Sequence, residues 1–528
     1  MRRAIAIFAL QFCSCLASSC LAADLDQRLA ALLDSKPAAF GTAGIHVADA
    51  ATGASVYAFN EDRLFLPASN LKLFTSALAL ERLGAGYRFT TRVLLAPSGD
   101  LVLSGSGDPS LSGRVYPYKK DTPPGPPLDP IEDMAAQIVK RGIRRIDGDV
   151  IGDDRLFPWV PYPSNWSIDD TEREYGAPVS ALSLDDNTVA IMIQPGQRSG
   201  DHASMSMSPP VEFLTIDHRV VTGPRATSAA TGPAIRLRQV PGSRQWIVTG
   251  SIPAGHAAVT EFLPVDDPAA FAAAALYDAL VRRGVAIRGR PVARHRAPGV
   301  EYAAPVGDEV ASRQSPPLAE LLRVVEKVSQ NLHAELMLRE VGRVGRREGA
   351  QDGARDGTQD GTRDGTRDGT HDGTHDGTTA SGLVEMSGFV KSLETPSDRS
   401  PGETRAAGAR MEVRIDDGSG LGRNTLVTPK LITRLLAHEY ASKNRDLWVA
   451  FLPAGGEDGT LEHRLCCVSD GAGIRAKTGT LSRAIALSGY ALSKTSGMYA
   501  FSILVNDFAA PTAEVRAWVD KIALALLE

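Results

Sequence analysis

The sequence is poor in cysteine, in aromatic residues and, past its first two dozen positions, in long apolar runs. Of its five cysteines, Cys13, Cys15 and Cys20 fall in or beside the opening stretch, leaving the adjacent Cys466 and Cys467. That excludes a disulfide framework, and a lone CC pair lacks the further ligands of a zinc site. Two packed thiols or a strained vicinal disulfide are the readings left for it. No later segment is apolar for long enough to span a bilayer, so no transmembrane anchor is expected. A net charge of −5 gives no electrostatic reason to expect a nucleic-acid partner. The ten histidines are scattered, and neither a metal nor a cofactor is expected.

Two further absences remove whole enzyme classes. "GAGIRAKT" nearly spells a phosphate-binding loop, but Ala476 stands where the glycine before the lysine belongs. The residues after Thr478 alternate like a strand instead of opening a helix. Around Ser69 there is no G-x-S-x-G elbow, so the α/β-hydrolase arrangement is excluded as well.

What is present begins with "MRRAIAIFALQFCSCLASSCLAAD", in which Arg2 and Arg3 precede an apolar run and small residues around Ala22 and Ala23. This pattern reads as a secretory signal over residues 1–23, cleaved after Ala22 or Ala23, with lipidation at Cys20 as an alternative. The expectation is an exported, periplasmic protein. The 528 residues exceed one ordinary core and imply at least two domains.

Alternating residues on both sides of Ala51-Thr52-Gly53 read as a hairpin, followed by the helix-forming "PASNLKLFTSALAL". Short strands and turns with scattered helices fill 94–296 and read as one or more inserted domains. Helical periodicity returns at "PPLAELLRVVEKVSQNLHAELMLRE" and breaks near Ser329 to Asn331. Two strands and a closing amphipathic helix end the chain. The main domain therefore takes in 24–93 and 297–528 and is α+β. Between Gln351 and Thr378 a D-G-T-like tetrapeptide repeats. Its spacing fits neither an EF-hand loop nor a nine-residue calcium repeat, and its polarity predicts a disordered surface loop over 349–380.

Ser69 and Lys72 stand three apart, which on a helix puts them on one face. A lysine among Leu71, Leu73, Phe74, Ala77 and Leu78 must be paired or able to lose its proton, which suits a base. Taken alone, the window reads more readily as a capping serine and a lysine snorkelling outwards. Three further stretches decide between these: Ser329-Gln330-Asn331, the glycine-rich "DDGSGLGRNTLVTP" (416–429) and "AKTGTLS" (476–482). S-x-x-K, S-x-N and K-T-G in this order are the signature of penicillin-binding proteins and class A β-lactamases.

With "GSGDPSL", "GDVIGDDRLF" and "VSALSLDDN", residues 24–528 resemble the low-molecular-mass penicillin-binding proteins that act as D-alanyl-D-alanine carboxypeptidases and endopeptidases. The resemblance is to the subgroup with a large insertion between S-x-x-K and S-x-N, here separated by 260 residues. Two features depart from it: the D-G-T repeats, and Gly422 where serine is usual.

The resemblance implies a β-lactamase/transpeptidase-like catalytic domain, an antiparallel sheet flanked by helices, with β-rich inserted domains. It implies Ser69 as nucleophile, Lys72 as the disputed base, Ser329 as proton relay, Asn331 as a partner of the substrate amide and Lys477 as a cation near Lys72. Lys477, Thr478 and Thr480 of the Lys477-Thr478-Gly479-Thr480 strand would hold the terminal carboxylate of D-Ala-D-Ala. Backbone N–H groups of Ser69 and Thr480 would form the oxyanion hole. Trp166, Asp169 and Tyr175, in "NWSIDDTEREYGAP", would receive the ammonium end of the stem peptide's side chain. The implied partners are a peptidoglycan stem peptide ending in D-Ala-D-Ala and β-lactam antibiotics. A β-lactamase or esterase on the same scaffold and a non-catalytic cell-wall binding protein are the competing readings.

Overall fold

The computed structural model describes residues 25–226, 232–345, 376–393, 413–466, 473–494 and 497–527. The expected signal, most of the D-G-T repeat and Cys467 lie outside the described residues; Cys466 is an exposed free thiol.

The main domain is built on one antiparallel sheet. Its strands are β1 (Thr42–Asp49), β2 (Ser55–Phe59), β3 (Gly473–Leu481), β4 (Ala484–Ser493) and β5 (Gly497–Asn506), in the order β3-β4-β5-β1-β2. The two ends of the chain are thus joined edge to edge, with Thr42 opposite Asn506 and Asp49 opposite Tyr499. The alternation of these strands serves two cores at once, because successive side chains leave opposite faces of a strand. Ile485, Leu487, Phe501, Ile503 and Val505 pack beneath Val515, Trp518, Val519 and Ile522 of the closing helix Thr512–Ala525. Ala486, Ala500 and Leu504 face the other way, into a helical layer.

That layer holds α1 (Lys72–Leu83), α2 (Leu318–Lys327), α3 (Asn331–Val344), α4 (Thr379–Ser392) and α5 (Pro429–Ala441). Leu73, Phe74, Ala77 and Leu78 bury α1 against α2 and α3, each large side chain contributing about 1.5–3 kcal/mol. Of the expected disordered loop over 349–380 only residues 376–380 are described, the rest lying outside the described residues. Thr378 caps α4 by accepting from the Ser381 N–H, so Thr379 and Ala380 are helical.

Between α1 and α2 lies the insertion. Its largest sheet runs Pro291–Arg296, Val150–Pro158, Leu101–Ser104, Thr90–Leu95 and Asp308–Gln314. Because Asp308–Gln314 pairs with Thr90–Leu95, the inserted sheet extends past the expected 94–296 at both ends. Helices Asp129–Lys140 and Pro268–Arg282 pack with it into a separate core, and two three-stranded sheets and a two-stranded one, Arg145–Ile146 with Ala286–Ile287, complete the insertion. No helix among the described residues is long and apolar enough to cross a membrane.

Candidate active site

Ser69 belongs to a 3₁₀ turn, Ala68–Leu71, that leads directly into α1 at Lys72. It caps nothing through its side chain. A 3₁₀ turn eclipses positions three apart, so the turn itself brings Lys72 Nζ to 3.0 Å from Ser69 Oγ. Two close approaches seat the turn. Gly420, at φ +78°, passes so near that a Cβ would stand 1.9 Å from the Ala68 carbonyl oxygen. A Cβ on Gly479 would stand 2.8 Å from the Pro67 oxygen. Asn70, fully buried, donates to the Lys477 carbonyl at 3.0 Å and meets Ser488 Oγ at 2.6 Å, which ties the turn to β3 and β4.

Lys72 is fully buried and has three partners: Ser69 Oγ, Asn331 Oδ1 at 2.6 Å and the Ser419 carbonyl at 2.6 Å. Burial, and then the ammonium of Lys477, bring its pKa down to about 7. Lys477 is also fully buried and donates to Ser329 Oγ and to the Thr478 carbonyl, both at 2.8 Å. Burial lowers it to about 8, opposed by the carboxylate of Glu326. Glu326 in turn accepts from Ser76 Oγ at 2.6 Å, and burial raises its own pKa.

Ser329 sits at the break between α2 and α3 with φ +63°, a conformation that turns its hydroxyl to Lys477. Gln330 explains why the motif's middle position is polar: its side chain caps α3 by accepting from the Leu332 N–H. Asn331 opens α3. It accepts from Lys72 and donates through Nδ2 to the Tyr175 carbonyl at 2.8 Å.

Contacts of 3.0 Å or less therefore join Ser69, Lys72 and Asn331 in one group and Lys477 with Ser329 in a second, and the Lys477 ammonium acts on Lys72 electrostatically. Thr478 bonds Thr460 at 2.8 Å, Gly479 is buried, and Thr480 is exposed on the strand that bounds the site. A cleft of about 450 Å³ opens beside them, lined by Arg114, Tyr175, Asp185, Ser329 and Asn331 among others. A cavity of similar size, about 440 Å³, lies beside His295 and Arg244 in the insertion and shares none of these residues, so size alone does not locate the chemistry.

The insertion residues divide. Tyr175 lines the cleft, and its hydroxyl donates to Asp170 at 3.2 Å. Trp166 donates to Asp417 Oδ2 at 3.0 Å. Asp169 is exposed and makes no polar contact with the others. Its neighbour Asp170 is the buried carboxylate, 3.8 Å from Arg423 and with Oδ2 free of hydrogen bonds. An aspartate pair is ambiguous in sequence; only the backbone decides which carboxylate turns inwards.

Sequence reasoning passed over Asn70, Ser419, Asp417 and Glu335. Asp417 accepts from the N–H groups of Gly420 and Gly422, from Ser419 Oγ and from Trp166. The glycine-rich loop marked Asp417 and Ser419, and Glu335 stands four residues past Asn331 on the same face of α3.

Comparison with known proteins places the chain in a family. The model of the D-Ala-D-Ala carboxypeptidase 3 (S13) family matches residues 25–361 and 406–525. The chain is 31% identical to a D-alanyl-D-alanine carboxypeptidase from an Actinomadura species, over 97% of this chain and 86% of that protein. It is 23% identical to the D-alanyl-D-alanine carboxypeptidase DacB of Haemophilus influenzae, over 87% and 84%. The crystal structure of penicillin binding protein 4 from Haemophilus influenzae superposes with a TM-score of 0.71 at 20% identity, over 94% of this chain and 98% of that one.

Proposed function

The chain belongs to the D-Ala-D-Ala carboxypeptidase 3 family, and from that premise we propose that Ser69 cleaves the D-Ala-D-Ala bond of peptidoglycan stem peptides through an acyl-enzyme. The observation that carries this reading is the buried Lys72 amine at 3.0 Å from Ser69 Oγ, with a pKa brought down to about 7. A lysine of ordinary pKa has roughly one neutral molecule in a few thousand at pH 7, whereas here about half are neutral.

Lys72 takes the Ser69 hydroxyl proton as Oγ bonds to the carbonyl carbon of the penultimate D-alanine. The backbone N–H groups of Ser69 and Thr480 receive the oxyanion. As the C–N bond breaks, the proton taken by Lys72 reaches the leaving nitrogen through Ser329, whose Oγ gives up its own proton as it accepts this one, and the Lys477 ammonium at 2.8 Å keeps that hydroxyl oriented. Lys477, Thr478 and Thr480 hold the terminal carboxylate; Asn331 pairs with the substrate amide. D-Alanine departs, and water hydrolyses the ester to restore Ser69.

The same serine opens a β-lactam, whose leaving nitrogen stays tethered to the acyl group and keeps the adduct in place. With a cross-linked strand in place of D-alanine as leaving group, the reaction is an endopeptidase cleavage, and the open cleft beside Ser329 and Asn331 supports room for it. Trp166, Tyr175 and the carboxylates at 169 and 170 serve the ammonium of the stem peptide's side chain, Asp170 by its burial being the stronger of the two. The leader "MRRAIAIFALQFCSCLASSCLAAD" supports action in the periplasm.

Purified protein incubated with a peptide ending in D-Ala-D-Ala should release D-alanine, and Ser69→Ala should release none. Equal release by both proteins would contradict the proposal.

A further inference from the structure

The loop 416–424 hydrogen-bonds the reacting lysine through the Ser419 carbonyl oxygen, and that atom is fixed from behind. Glu335 Oε1 accepts from the N–H groups of Gly418 at 2.9 Å and Ser419 at 2.8 Å, in a position where the carboxyl is fully buried. The adjoining half of the loop is held by Asp417, which takes the Gly420 and Gly422 N–H groups and Ser419 Oγ. Since Glu335 comes one helical turn after Asn331, α3 presents both an acceptor for Lys72 and the anchor of its other acceptor.

The consequence lies in the geometry of an amine. An ammonium has three N–H donors and would spend one on each of Ser69 Oγ, Asn331 Oδ1 and the Ser419 carbonyl. The neutral amine has two N–H donors and one lone pair. With Asn331 Oδ1 and the Ser419 carbonyl both at 2.6 Å taking the two donors, the lone pair is left facing Ser69.

We propose that Glu335 is a positioning residue for acylation: by anchoring the Gly418 and Ser419 N–H groups it sets the Ser419 carbonyl that aims the Lys72 lone pair at Ser69. The proposal rests on the reading of Ser69 as nucleophile and Lys72 as base. It assigns Glu335 the part of a hydrogen-bond acceptor and not of a counter-ion. The charged groups facing Lys72 are Lys477, Asp417, Glu326 and Glu335; those facing Glu335 are Asp417 and Arg339. Burial and the neighbouring Asp417 push Glu335 up to about 8, and among the charged groups that act on Lys72 it acts least.

The test is stopped-flow acylation by benzylpenicillin, separating the non-covalent dissociation constant from the first-order acylation rate constant between pH 5 and 9. Glu335→Ala should lower the rate constant by about 100-fold, the scale of a misplaced reacting group, with the dissociation constant within about threefold. Glu335→Gln, which keeps the acceptor, should stay within about threefold and leave the midpoint of the acid limb in place. Should Glu335→Ala fail to fold, Glu335→Asp carries the test, with an expected loss of about tenfold in the rate constant alone. An unchanged rate constant in either shortened variant overturns the proposal. So does a rate and a dissociation constant that worsen together. A Glu335→Gln midpoint moved to lower pH would make Glu335 a counter-ion instead. The underlying reading fails separately, if Ser69→Ala is still acylated.

Discussion

Lys72 and Lys477 form a pair of buried cations whose separate tasks depend on which one is charged. In the proposed mechanism Lys72 acts neutral and Lys477 charged, so acylation should rise with pH as Lys72 loses its proton near 7 and fall again as Lys477 loses its own near 8. The two groups interact, and the observed midpoints belong to the pair. Because the Lys477 ammonium lowers the pKa of Lys72, Lys477→Gln should move the acid limb to higher pH by about one unit, beyond lowering the rate. A pH–rate profile of penicillin acylation for both proteins checks the sign. Lys72→Arg should lose at least about 1,000-fold in acylation, since a guanidinium keeps its proton throughout this range. A circular-dichroism spectrum matching the wild type would show that the loss is chemical.

At the level of elements, the active centre is an assembly of helix starts and one strand: the 3₁₀ turn before α1, the break before α3, the 416–424 loop and β3. Close approach matters more than bond count. Gly420→Ala places a Cβ 1.9 Å from the Ala68 oxygen in a left-handed conformation, and should destabilise the protein by at least about 2 kcal/mol, lower Tm by several degrees and slow acylation. Thermal unfolding beside the acylation assay checks this.

Such elements also mark how far the sequence could be read. The three motifs are contiguous in sequence, and each carries its own local geometry: i, i+3 spacing for Ser69 and Lys72, a helix break at Ser329, alternation through Lys477. They were therefore legible, as were the hairpin and the closing strands of the main sheet. Partners that meet only after folding were not. Glu335 looks like any polar residue of a helix until its fully buried position against Gly418 and Ser419 is known. The choice of Asp170 over Asp169 turns on a loop of successive turns with no periodicity to read. The far edge of the insertion was misplaced by a whole strand because Asp308–Gln314 pairs with a strand more than 200 positions earlier.

Across the whole molecule, the insertion is fastened to the catalytic helices near the reacting groups. Asp186, on the insertion, accepts from Arg114 at 2.6 Å and from His333 of α3 at 2.8 Å. Burial alone would raise its pKa, but Arg114 and His333 outweigh it and hold the carboxyl well below the usual carboxylate range. A depressed carboxyl stabilises above its unfolded pKa and loses that contribution as pH falls through the folded one. His333 stands two residues past Asn331, so this contact sets the start of α3 against the cleft wall. Asp186→Ala should cost about 1–3 kcal/mol and slow acylation, through a loosened Asn331, more than it weakens drug binding. Denaturation midpoints and acylation kinetics measured together check both halves.

The central claim, that Ser69 is the acylated nucleophile of a penicillin-sensitive D-Ala-D-Ala peptidase, is tested most directly by intact mass after brief exposure to benzylpenicillin, with Ser69→Ala alongside. The predicted result is one persistent penicilloyl adduct on the wild type and none on the variant. An adduct on both proteins, or no adduct on the wild type with the drug left intact, would contradict it.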